Sequence, residues 1–260
     1  MSNWNSAGNP ALFFCATVSR GGSLLYASSI ASRKEIGMSR FQAVVFDMDG
    51  VIFDSERIYR LMEHRTAARY GLPDEKVEPF CDLIAGGTKA TNRKHFEDTF
   101  GTEIDYMEFR AHVNAGVDAY GRDPGFDVKP GIRELLDYLK ENGFAVALAT
   151  STDSERAEYH LKRHGLFGYF DRIVYGNMVE RGKPEPDIYL KACEELGVAP
   201  EKAVGVEDSI NGVISSKRAG LFTAMVVDLI RPDERAKAHT DCILSHADEV
   251  IPILAEDKTE

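Results

Sequence analysis

The chain has 260 residues with an apolar fraction of 43%, enough to bury a sizeable core in one large domain or two modest ones. Its 31 basic and 42 acidic residues leave a formal charge of −11, which repels polyanions and argues against nucleic acid or an anionic membrane surface as the main partner. Cys15, Cys81, Cys193 and Cys242 are scattered without a CxxC pair or a zinc-ligand spacing, so they read as reduced thiols, and no apolar run reaches the roughly 20 residues of a membrane-spanning helix.

Residues 1–37 are serine-rich, carry Arg20, Arg33 and Lys34, and hold no acidic residue before Glu35. They show no lasting amphipathic period and are expected to be a disordered extension outside the fold. Two origins fit that composition: an organelle transit peptide, or a translated upstream stretch with Met38 as the true start. The second places the protein in the cytoplasm, the first in an organelle.

From Phe41 onward short apolar runs alternate with amphipathic stretches, the pattern of a parallel sheet covered by helices on both faces. The runs are Ala43 to Phe46, Ala145 to Ala149, Arg172 to Tyr175, Ala203 to Val206 and Thr223 to Val227. Helical spacing marks Gly131 to Glu141, Ser154 to His164, Asp187 to Leu196 and Ile210 to Ala219. A doubly wound, Rossmann-like α/β core over residues 38–53 and 128–260 follows. Residues 54–127 contain no strand pattern and at least three helical ones, broken at Gly71-Leu72-Pro73, Gly86-Gly87 and Gly101-Thr102. This helical cap leaves after the first strand, and so is expected over the carboxyl ends of the strands, where open α/β sheets bind ligands.

The chemistry gathers where the runs stop. Asp47 and Asp49 follow the first run at i and i+2, which in a strand puts both carboxylates on one face; close carboxylates need a cation or a proton to divide their roles. The plainer reading is a pair of turn residues after a strand. Thr150 and Ser151 place hydroxyls where the second run ends, suited to a phosphate oxygen or, equally, to capping the next helix. Lys183 stands between glycine and proline ahead of a helix, an unusual setting for a lysine and a useful one for a phosphate. Glu207 and Asp208 close the fourth run as oxygen ligands would for magnesium, the alternative being a helix cap by Asp208 or Ser209.

Taken in order, FDMDGVIFDSE, ALATST, GKPEPD and GVEDS resemble the four motifs of the haloacid dehalogenase superfamily, over essentially Phe41 to Leu254. The helical insertion resembles the cap of the subfamily that includes β-phosphoglucomutase and many sugar-phosphate phosphatases. The resemblance implies that Asp47 is the nucleophile and Asp49 the general acid/base, with Thr150, Ser151 and Lys183 holding the transferring phosphoryl group. It implies Mg2+ on the carboxylates of Asp47 and Asp208 and the carbonyl of Asp49, with Glu207 a ligand or just behind one. The implied activity is hydrolysis of a small phosphate monoester, a sugar or polyol phosphate, through an aspartyl-phosphate. No obligate protein partner is evident.

In the cap, Gly86-Gly87-Thr88-Lys89 is a cationic loop where this family keeps its substrate-reading segment, so Thr88 or Lys89 is expected to touch the leaving group; an ordinary helix start capped by Thr88 is the alternative. The mutases of this family place a histidine where Tyr59 stands, an arginine where Lys89 stands, and a lysine at the position that aligns with Gly116. These departures favour a phosphatase over a β-phosphoglucomutase-like phosphomutase. A catalytically silent binding protein would have no need of both Asp47 and Asp49. His64, His95, His112, His160 and His164 lie on helical stretches among polar residues and are expected at the surface.

Overall fold

The computed structural model describes residues 40–256 apart from Gly86 and Thr88. The expectations for residues 1–37 therefore fall outside the described residues, as does the one for Thr88. Six parallel strands form one sheet: β1 (Ala43–Phe46), β2 (Ala145–Thr150), β3 (Arg172–Tyr175), β4 (Ala203–Glu207), β5 (Phe222–Val226) and β6 (Cys242–Leu244), in the order β3-β2-β1-β4-β5-β6. The order reverses at β1, which makes its carboxyl end the topological switch point of a doubly wound sheet.

Strand alternation divides the core by side-chain size. Val44, Phe46, Val146, Leu148, Val204 and Val206 face one side, where Ile132, Leu135, Leu136 and Leu139 of α5 (Ile132–Glu141) pack. The opposite side carries Ala43, Val45, Ala145, Ala147 and Ala149, and these small side chains let Ile188, Tyr189, Ala192 and Cys193 of α7 (Asp187–Leu196) come close. The other core helices are α6 (Ser154–Arg163), α8 (Ile210–Ala219), α9 (Glu234–Ala238) and α10 (Val250–Glu256). Strand β6 is absent from the sequence expectation because Cys242-Ile243-Leu244, at a sheet edge, is an apolar run of only three residues. No helix among the described residues is long and apolar enough to cross a membrane.

The insertion holds four helices, α1 (Glu56–Arg69), α2 (Asp74–Ile84), α3 (Lys89–Phe100) and α4 (Tyr106–Arg122). They close on an aromatic cluster in which Phe96 stands 4.8 Å from Phe109 and 5.7 Å from Phe80. The two connections to the core run side by side: the Asp54 amide donates to the Asp127 carbonyl at 3.0 Å, and that of Lys129 to Ile52 at 2.9 Å. This short antiparallel pair carries the helices at the switch-point end of the sheet.

One expectation is corrected here. His160 is buried rather than on the surface, its ring 4.5 Å from Phe126 and 6.0 Å from Phe53 beside the connections. A Cβ on Gly121 would lie 2.7 Å from its Cε1, so a glycine makes the room. Burial pulls the imidazole down to about 4, keeping it neutral, and it serves as an aromatic core residue.

Phe96→Ala would empty the centre of the insertion's aromatic cluster. It is expected to cost about 3–5 kcal/mol, read as a lower urea midpoint with an unchanged denaturant slope.

Candidate active site

The site is assembled from strand ends. The Asp47 amide continues the ladder past β1 by donating to the Val206 carbonyl at 2.9 Å, which sets its side chain at the carboxyl end of the central strand. Thr150 ends β2 on one flank, and Glu207 ends β4 on the other with Asp208 just beyond. Gly50 turns the chain away at φ +80°, against Asp208, whose carboxylate lies 2.0 Å from where a Cβ would stand; only glycine fits there.

Lys183 enters from the loop before α7 and is 2% exposed. Its Nζ donates to Asp47 Oδ1 at 2.5 Å, to Glu207 Oε1 at 2.6 Å and to the Ala149 carbonyl at 3.2 Å. The Tyr189 hydroxyl also donates to Glu207 Oε1, at 2.7 Å, while the amide of Asp208 and the hydroxyl of Ser209 reach its Oε2 at 3.2 Å. Both oxygens of Glu207 are thus engaged in holding the lysine and the turn after β4. Gly212 keeps the space for that carboxylate, since a Cβ there would sit 2.0 Å from it.

One oxygen from each of Asp47, Glu207 and Asp208 lies within 4.8 Å of the others. Three buried carboxylates against one ammonium leave an excess of negative charge. Burial pushes Asp47 up to about 8 even though Lys183 pulls it back, and burial followed by Glu207 raises Asp208 well above the ordinary carboxylate range. An all-oxygen donor set with surplus negative charge fits a hard divalent cation, and Asp47 and Asp208 carry the oxygens least committed elsewhere.

Asp49 is held by hydroxyls rather than by a strand ladder. Strand β1 stops at Phe46, so strand alternation does not orient Asp49. Its two oxygens accept from the Ser55 hydroxyl at 2.6 Å and the Thr152 hydroxyl at 2.7 Å. Thr150 is fully buried and its hydroxyl accepts from the Thr152 amide at 3.0 Å. Ser151 is exposed at the start of the same loop. Lys89 opens α3, and its side chain is not among those described.

Several groups around the site escape sequence reasoning. Thr152 is the third member of a Thr-Ser-Thr run, a signal that was readable, whereas Tyr189 reads as an ordinary core residue of α7. Tyr59 lies half-buried near Asp49, with the guanidinium carbons of Arg110 and Arg156 5.8 and 5.9 Å from the centre of its ring. The insertion is tied down above the site by Asn211 of α8, whose amide donates to the Ala85 carbonyl at 3.0 Å.

This is a carboxylate-and-lysine centre at the switch point of a doubly wound sheet under a helical cap. The family model for haloacid dehalogenase-like hydrolases matches residues 44–226. A phosphorylated carbohydrates phosphatase of Thermotoga maritima is 34% identical over 209 residues, covering 74% of this chain and 95% of that one. A phosphoglycolate phosphatase of Aquifex aeolicus is 34% identical over 189 residues, 72% of this chain and 84% of its own. The crystal structure of CbbY from Rhodobacter sphaeroides with phosphate superposes with a TM-score of 0.68 at 28% identity, over 81% of this chain and 96% of that one. The chain belongs to the haloacid dehalogenase-like hydrolases, in their β-phosphoglucomutase-like subfamily.

Asp47 contributes to a testable pH response, as do Glu56 and Asp208, whose carboxyls burial also raises. With the folded-state value of Asp47 raised from 3.8 to about 8, the native carboxyl keeps a proton that the unfolded chain has lost, so its contribution to stability is full in acid and falls as pH rises across that window. Thermal unfolding of EDTA-treated protein is expected to show this as a decline that Asp47→Asn makes shallower, Glu56 and Asp208 accounting for the rest. A divalent cation should restore stability more at the alkaline end than at the acid end. Equal slopes for the two proteins would contradict the assignment.

Proposed function

We propose that this enzyme hydrolyses a small phosphate monoester, a sugar or polyol phosphate, by way of a phosphoaspartate at Asp47. It is a phosphoric monoester hydrolase. The observation that carries the mechanism is the pairing of buried Lys183 with Asp47 and Glu207 at the switch point, beside an Asp49 carboxylate gripped by two hydroxyls.

An Asp47 carboxylate oxygen attacks phosphorus in line with the leaving alcohol; the new oxygen–phosphorus bond forms as the ester bond breaks. Asp49 gives its proton to the departing oxygen, then takes one from the water that attacks the phosphoaspartate, freeing phosphate and restoring Asp47. Lys183, the Thr150 hydroxyl and the neighbouring loop amides are suited to the charge on the transferring oxygens. Mg2+, held by Asp47, Asp208 and the Asp49 carbonyl, would supply electrostatic stabilisation of the transferring phosphoryl group. Glu207 keeps Lys183 charged and in place.

The hydrolase reading is favoured over a mutase. A mutase must keep its intermediate for re-phosphorylation and grip a second phosphate, yet the position that aligns with a gripping lysine is Gly116, which offers no side chain to a second phosphate. A carbohydrate substrate is supported by the name of the Thermotoga relative. The cysteines among the described residues are free thiols, which is consistent with a cytoplasmic setting.

Phosphate release should be measured over a panel of sugar and polyol phosphates with Mg2+, with excess EDTA, and with Asp47→Asn. Release should fall by about a thousandfold or more in the last two cases. Activity that survives either treatment, or isomerised sugar phosphate in place of free phosphate, would overturn the reading.

Asp49→Asn separates the two half-reactions. With p-nitrophenyl phosphate, whose leaving group needs no proton, it is expected to give one burst of nitrophenolate stoichiometric with enzyme. Sustained turnover should be about 10²- to 10⁴-fold below wild type.

A further inference from the structure

Resting on the hydrolase reading above, the geometry points to a leaving-group pocket that is electrostatically balanced: Arg110 and Arg156 over Tyr59 are each matched by a carboxylate, so the enzyme selects esters of neutral, hydroxyl-bearing alcohols and rejects those carrying a second anion. Family membership does not decide this question. The relatives' names include a phosphatase for phosphorylated carbohydrates and one for phosphoglycolate, whose leaving group bears a carboxylate.

Tyr59 on α1 is joined to the site through Arg156, whose helix follows the loop from which the Thr152 hydroxyl donates to Asp49 at 2.7 Å. Two arginines stand near its ring. Arg110, from α4, reaches Glu63 Oε1 at 2.5 Å, and Glu63 is only 3% exposed. Arg156, from α6 of the core, stands 2.7 Å from Asp118 Oδ1 and donates to the Tyr59 hydroxyl at 2.9 Å. Glu56, at the start of α1, adds a further carboxyl near Asp49.

A substrate anion entering here would meet guanidinium groups already neutralised and carboxylates that repel it. It would have to break an existing ion pair to gain one of its own, and would leave Glu63 or Asp118 without its partner. A polyol fits the same groups at no such cost. Guanidinium N–H groups not facing their carboxylate donate to hydroxyl oxygens, the Tyr59 hydroxyl oxygen and the carboxylates accept from hydroxyl hydrogens, and no net charge is buried.

The two arginines differ in how easily their balance can be tested. Glu63 also accepts from the buried Cys81 thiol at 2.7 Å, so its removal would disturb the packing of the insertion. Asp118 is 31% exposed and its loss should be tolerated. Asp118→Asn leaves the shape and frees the Arg156 charge.

The experiment uses matched pairs that differ only in a terminal CH2OH against a carboxylate: sorbitol 6-phosphate with 6-phosphogluconate, glycerol 3-phosphate with 3-phosphoglycerate, and 2-hydroxyethyl phosphate with phosphoglycolate. With Mg2+ present, wild-type kcat/KM is expected to favour the neutral member of the turned-over pair by about tenfold or more. Asp118→Asn should shrink that ratio by about tenfold, mainly through KM for the anionic member. Adding Arg156→Gln to Asp118→Asn should bring the discrimination back, because the gain needs the freed guanidinium; a gain that persists in the double variant means mere loosening and overturns the proposal. Wild-type preference for the carboxylate members, whether through Lys89 or another cation, overturns it while leaving the hydrolase reading intact. Failure of every ester, neutral or anionic, defeats the hydrolase reading and this inference with it.

Discussion

Lys183 has almost no contact with water, so the cost of burying its charge must be met by the groups at the carboxyl ends of β1, β2 and β4. Asp47 and Glu207 supply opposite charge and Ala149 a carbonyl, leaving the ammonium saturated with acceptors. Removing one member of such a buried set typically costs about 3–5 kcal/mol, because it strands the charge that remains. That cost explains features with no direct part in phosphoryl transfer. Tyr189 spends its hydroxyl on Glu207 from the middle of an otherwise apolar helix face, and Gly50 and Gly212 leave out side chains exactly where carboxylates need the volume.

The same constraint accounts for the sheet. Three carboxylates and a lysine from distant parts of the sequence meet only if their strands are neighbours and end at one level. The order with β1 between β2 and β4 provides this: Phe46 is in register with Leu148 and Val206, so the residues that follow each strand emerge together. Alanine on one face of β2 lets α7 lie close, which brings Tyr189 within reach of Glu207. Sheet packing, helix approach and site charge are therefore one problem with one solution.

These relations explain what could be read from the sequence. Strands buried on both faces are written as apolar runs, and in a parallel sheet the polar residue that interrupts a run lies at the ligand-binding edge. Asp47, Thr150, Glu207 and Asp208 were legible for that reason, and Lys183 through its fixed place between Gly182 and Pro184. Asp49 was legible from the paired acids, although the i, i+2 argument assumes a strand that has already ended at Phe46. The groups above the site were harder. Arg110 and Glu63 are 47 positions apart, and Arg156 and Tyr59 97, so their partnerships depend on how helices cross and leave no local period. His160 was misread because a histidine counts as polar in a helical pattern even when an aromatic pocket receives it.

The ties between cap and core show why pocket and chemistry are coupled. Arg156 stands on the helix that follows the Thr150 to Thr152 loop, yet its partners lie on α1 and α4 of the cap. Ser55, at the entrance to α1, holds one oxygen of Asp49, and Thr152 of the core holds the other. The acid/base candidate is thus bonded to both parts at once, and so is the arginine above it. Any outward swing of the cap that lengthened these contacts would disassemble the leaving-group pocket and release Asp49 together. Hydrolysis requires water to replace the alcohol after the first half-reaction, and a pocket that loses its walls in the same movement that admits water meets that requirement without a separate gate.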